Sequence, residues 1–141
     1  MQIVASIPSI TSEAALAAVQ AAVAHGRSIG KSVVAAVVDV GGDLMACLRA
    51  DGAYSASVGI ARDKAYTAAT FGIASDELGK ALSGNEILRD GIALRPGVIL
   101  FAGGLPIVVD GEVAGAIGVS GGSEDDDRAC AKAGLVALGI K

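Results

Sequence analysis

Lys64 stands in a stretch of small and apolar residues, and the chemistry this chain could perform starts there. In ASVGIARDKAYTAATFG, Ile60, Lys64, Thr67 and Phe71 recur at helical spacing and share one face. A lysine in such a stripe either snorkels its ammonium at an edge or is held near a pocket. Withdrawn from water, its pKa falls from about 10.4 and it becomes a candidate general base; kept charged, it is a cation for an anionic ligand. A second pair lies in RADGA, where Arg49 and Asp51 follow a strand end. The guanidinium can tie the turn or meet a ligand carboxylate, and Asp51 is a candidate acid or base beside it.

His25 is the only histidine. One imidazole excludes a multi-histidine zinc site within one chain, and no GxSxG surrounds a serine it could activate. It can be a single axial haem ligand, or a surface or interface residue near the end of an Ala-rich helix. No metal site is expected. Cys47 and Cys130 lack CxxC spacing and read as structural buried thiols, one in a strand and one in a helix, consistent with a reducing cytoplasm.

The stretch GAIGVSGGSEDDDRACAKAG runs from an apolar strand through Gly121 and Gly122 into a helix start. Phosphate loops are built this way, but here Glu124, Asp125, Asp126 and Asp127 occupy the anion's place. Ser123 can cap the helix while Asp126 reaches back, a capping box with Asp in place of Glu. With no GxxxxGK[ST], P-loop chemistry is excluded. The loop caps its own helix, with Glu124 or Asp125 left to border a pocket for a cation or a hydroxyl-bearing ligand.

These residues need elements to position them. Thr11 or Ser12 can cap a helix over residues 12–30, with Ala15, Leu16, Val19, Ala22 and Val23 as one apolar stripe and Ala14, Ala18, Ala21 and His25 as another. Two apolar faces imply burial by the sheet and by a partner helix or chain. Val33 to Val40 and Asp43 to Arg49 read as a hairpin about Gly41-Gly42. Helices follow over 56–72 and, capped by Ser75, over 75–83. Residues 84–96 read as a polar surface loop. Short strands are expected near 98–101, 105–109 and 112–120, the last two joined by the type I′ signal Asp110-Gly111, and a final helix over 123–138. Antiparallel runs between helices argue α+β: one sheet of about five mostly antiparallel strands, packed with helices, in a single domain over 1–141.

Composition bounds the function. Hydrophobic residues are 52% and charged residues 18%, apolar for a small soluble monomer, so association into an oligomer is expected. The net charge is −4, aromatics are 3%, and no Lys/Arg cluster occurs, which argues against nucleic acid. No charge-free stretch of about 18 apolar residues is present, so no membrane span is proposed. The start MQIVASIPSI has neither a basic region nor a long apolar run, so no signal peptide is expected.

AAVVDVGGDLMACLRADGA, ARDKAYTAATFG and GGLPIVVDGEVAGAIGVSGGSEDDDRACAKAG together resemble the GlcG/HbpS-like family, once called DUF336. VVDxGG, RxDGA, KAxTAxxF, GGxPI and GxxxGAIGVSGG occur in order over nearly the whole chain. The resemblance implies a profilin-like α+β domain, assembly into dimers, tetramers or octamers, and haem binding in some members. It places a small-ligand pocket at Arg49, Asp51, Lys64, Thr67, Gly121, Gly122 and Glu124, with Arg95 as an added cation. The acidic ExxE-type iron motif of secreted haem sensors is not evident in the second helix.

Three functions compete. A haem or tetrapyrrole binder would use an axial ligand among His25, Tyr54, Tyr66, Met45 and Thr67, with Arg49, Lys64 and Arg95 for the propionates. A catabolic enzyme, isomerase- or hydratase-like, would use Lys64 or Asp51 on a small carboxylate or carbonyl metabolite. A non-catalytic accessory or scaffold protein would need neither.

Overall fold

The computed structural model describes all of residues 1–141. Its elements are α1 (Ser12–Ser28), β1 (Val34–Asp39), β2 (Leu44–Arg49), α2 (Ala56–Phe71), α3 (Ser75–Leu82), α4 (Glu86–Ala93), β3 (Gly104–Val109), β4 (Glu112–Ser120) and α5 (Glu124–Ala137). The sheet is antiparallel throughout, in the order β2-β1-β4-β3.

Strand alternation builds three layers. Ala35 and Val37 of β1 and Ile117 and Val119 of β4 point to one face, where they pack with Val19, Val23 and Cys130 of α1 and α5. Val34, Ala36, Val38 and Ala116 point to the other face, against Ala61, Ala65 and Ala68 of α2. Burial on both faces explains why β1 reads as a continuous apolar run. Gly118 lets α2 lie close on the sheet, because a Cβ there would run into the Ala61 carbonyl and the Ala65 amide.

Local signals show directly in the backbone. The Thr11 hydroxyl accepts the Ala14 N–H at the start of α1. Asp110 and Gly111 join β3 to β4 with φ of 51° and 79°, the positive values a type I′ turn needs.

Several expectations are corrected. The sheet has four strands rather than five, because residues 98–101 form no strand. Their backbone groups are taken by side chains: Ile99 N–H donates to Thr67 Oγ1, and the Phe101 carbonyl accepts from Ser75 Oγ. The 84–96 segment is not irregular throughout; Asn85 accepts the Leu88 N–H and starts α4. Ser75 is the first residue of α3 rather than its cap, since its hydroxyl is committed to Phe101 and to the Gly104 N–H. The β1–β2 connection is longer than two residues, with Asp39 Oδ1 accepting the N–H groups of Gly41 and Asp43. Leu16 is exposed, and the buried stripe of α1 continues instead through Ala18 to Gly26. Cys130 is buried as expected, but Cys47 is exposed, because β2 is an edge strand paired on one side only.

Candidate functional site

Lys64 is the largest fully buried side chain of the molecule, 1% exposed. From the middle of α2 it runs past the end of the sheet to α5, beneath Gly103, whose missing Cβ would otherwise lie 2.7 Å from Nζ. Nζ donates to the Val119 carbonyl and to Asp127 Oδ2, both at 2.9 Å. It lies 5.1 Å from the centroid of the Phe101 ring, within cation–π range. The carboxylate and the carbonyl take two of its donors and the ring face covers the ammonium, so it is neither snorkelling nor aimed into an open cavity.

Asp127 completes this arrangement. It lies in the first turn of α5, where the helix dipole favours a carboxylate, and its Oδ1 accepts the Gly122 N–H at 2.9 Å. One carboxylate therefore joins the Gly121-Gly122 loop to Lys64. Burial pushes the Asp127 carboxyl above the ordinary carboxylate range, against the opposing pull of the Gly122 amide and of Lys64. Sequence reading did not single out this residue as a partner for Lys64. The available signal was its spacing: Asp127, Cys130, Ala131 and Gly134 fall on one otherwise apolar face of α5.

The remaining acids are separated by role. Ser123 and Asp126 form the capping box, each side chain accepting the other's backbone N–H. Glu124 Oε1 accepts the Ala102 N–H at 2.9 Å. Asp125 faces solvent and pairs with Arg128, whose other end meets Asp76 at 2.7 Å. Burial acts to raise Asp76, but the Arg128 guanidinium, the backbone and Lys80 together outweigh it and hold that carboxyl below its usual range.

Thr67 is fully buried, and its hydroxyl lies 2.9 Å from the carbonyls of Asp63 and Gly97 while accepting the Ile99 N–H. Thr67, Ser75 and Glu124 thus fasten the 97–104 segment, with its Phe101 ring, over Lys64. Arg49 donates through Nε and Nη2 to the Ala53 carbonyl, closing the turn before α2. Asp51 is exposed in a cleft of about 240 Å³ beside Arg27, Lys31 and Ser32. Arg95 is exposed at the end of α4, and His25 is half-buried in the last turn of α1. The structure therefore brings Lys64, Gly122, Thr67 and Glu124 to one end of the sheet as a bonded support. It keeps Arg49, Asp51, Arg95 and His25 out of that support.

The largest apolar recess, about 530 Å³, lies elsewhere, lined by Ile10, Ile107, Val108, Leu138 and Ile140 among others, with no histidine, tyrosine or cysteine. No group of three His, Cys, Asp or Glu residues is placed to hold a metal ion, and no helix is long and apolar enough to cross a membrane.

Residues 10–136 match the family described as "Haem degrading protein HbpS-like". The chain is 36% identical over 130 residues, 92% of each chain, to an uncharacterized 15.0 kDa protein from the dhaT-dhaS intergenic region of Citrobacter freundii. The crystal structure of Klebsiella pneumoniae protein ORFY superposes with a TM-score of 0.92 at 30% identity, covering 100% of this chain and 98% of that one. The PduOC–haem complex superposes with a TM-score of 0.85 at 27% identity, over 94% and 97% of the two chains. The chain belongs to the HbpS-like family.

Proposed function

We propose that this HbpS-like chain works by binding a ligand rather than by acid–base catalysis, and that the ligand is haem or a related tetrapyrrole taken at the surface. The observation that carries the reading is the enclosure of Lys64. A general base must reach the proton it abstracts, and this ammonium is committed to Asp127 and Val119 beneath Phe101. Asp51, the other acid–base candidate, sits in a small polar cleft apart from it.

The ligand class is supported by the family's description and by PduOC, a relative whose structure is a haem complex. Within this chain, the end of α1 offers the matching donors. His25, half-buried in the last turn and outside the cleft that Arg27 and Lys31 line, carries an imidazole suited to an axial position, and Arg27 and Lys31, the latter 3.7 Å from Asp126, are exposed cations suited to propionates. One chain does not supply a slot there, because the cleft is about 240 Å³ and Ala50 is its only hydrophobic lining residue. A flat cofactor needs a larger apolar enclosure, which a second surface closing over the end of α1 would provide. Bound haem would contribute redox chemistry at its iron; the chain's own part is to orient and shield it.

The experiment is a haem titration of the purified protein, followed at the Soret band and by size-exclusion chromatography. A saturable spectral change that is lost in His25→Ala is expected. No saturable change in the wild type would overturn the haem reading.

A further inference from the structure

We infer that α4 is a self-association surface, and that it packs antiparallel against α4 of a second copy about a two-fold axis near Gly91. The inference is independent of the haem reading, since α4 contributes nothing to the end of α1.

No residue of α4 is buried. Ile87 is 89% exposed, Leu94 85% and Leu88 49%. With Gly91 they fall on one arc of the helix, three and four residues apart, while Ile92 and Arg89 turn toward the body of the chain. A helix of eight residues is not stable through its own hydrogen bonds in water, and most helical stability comes from packing an apolar face. The cover for this face is absent from the chain itself. Gly91 costs helix stability, and a Cβ there would meet nothing within 4 Å, so no contact in its own chain requires a glycine. A helix crossing at that point would require it, because a small residue lets two backbones approach.

The charges select the partner. Glu86 at one end of α4 and Arg95 just beyond the other take no part in any ion pair of the chain. An antiparallel crossing at Gly91 places Glu86 beside Arg95 of the partner subunit, twice by symmetry. A parallel crossing would set like charges together, and an acidic or a basic partner would satisfy one end and repel the other. A self-complementary patch is the mark of an isologous contact. One short helix offers less than the roughly 800 Å² per partner of a standard interface. The contact therefore belongs at the weak, reversible end of such interfaces.

The test uses the full chain in sedimentation velocity, with Cys47 replaced by Ser for the cross-linking arm. Ile87→Asp/Leu94→Asp is expected to weaken dimerisation at least tenfold. Both residues are exposed, so the core should stay folded, and circular dichroism should lose no more than the helicity of α4 itself. Glu86→Arg alone should weaken the dimer, and Glu86→Arg with Arg95→Glu should restore it. Gly91→Cys should form an intermolecular disulfide under mild oxidation, whereas Gly59→Cys on α2 should not. A monomeric wild type, or an oligomer indifferent to the Ile87/Leu94 pair, would overturn the inference.

Discussion

Replacing Lys64 with Met tests the central argument, because the two roles open to this lysine respond differently. Met fills most of the same volume but removes the ammonium. The Val119 carbonyl then loses its donor, and Asp127 keeps only the Gly122 amide. Breaking a buried ion pair from one side costs about 3–5 kcal/mol. The retained amide bond puts the expected loss near the lower end, about 3 kcal/mol, or about 10 °C in Tm for a chain of this size. The loss should depend on pH. Burial raises the folded Asp127 carboxyl above its unfolded value, so folding takes up a proton between the two, and stability falls as pH rises through that interval. Without Lys64 the folded carboxyl titrates higher still and the interval widens upward. The difference between wild type and variant should therefore be smallest at acid pH, where both folded carboxyls are protonated, and reach its full size above the variant's folded pKa. Urea unfolding across this range, with unchanged m-values, reads it directly. Lys64→Met/Asp127→Leu should recover most of the loss, since an apolar pair replaces a buried charge pair at little cost. A loss below about 1 kcal/mol at pH 7 would refute the structural role, as would a loss that does not vary with pH.

Other consequences follow from the same geometry. Thr67→Val keeps the shape but leaves the Gly97 carbonyl and the Ile99 amide without their partner; it should cost about 1–3 kcal/mol and speed hydrogen exchange at Ile99. Gly118→Ala forces a methyl into the α2 backbone and should destabilise by at least about 1–3 kcal/mol in thermal unfolding. Burial, then the charges of Asp127 and Asp126, push the Cys130 thiol up to about 11. At pH 8 an alkylating reagent should modify exposed Cys47 in the native protein and reach Cys130 only after unfolding.

Much of the fold was legible because it depends on neighbours in sequence. The spans of α1, α2 and α5, the Ser123–Asp126 capping box and the Asp110-Gly111 turn all depend on residues within a few positions of one another; the face of α2 was read only in part, since Lys64 and Thr67 are buried but Phe71 is exposed and the small residues Ala61, Ala65 and Ala68 fill the contact with the sheet. α4 escaped notice because Arg89, Asp90 and Arg95 made its segment look polar, although the apolar spacing of Ile87, Leu88, Gly91 and Leu94 was present. Residues 98–101 looked like a strand because their side chains are apolar. They are held elsewhere because Thr67 and Ser75 compete for their backbone groups.

The candidate site divides along the same line. The sequence by itself determined which residues were chemically unusual: a lysine on an apolar helix face, a glycine loop followed by four acids, a single histidine. It also carried the family. Only the tertiary structure decided what Lys64 does, because its partner Asp127 lies 63 positions away and the Phe101 ring lies over the ammonium. A residue's spacing records which face of its own element it occupies. Whether a charge on that face meets a ligand or an opposite charge depends on what the rest of the chain brings to it. Here that is a helix from the opposite layer, reached past the end of the sheet.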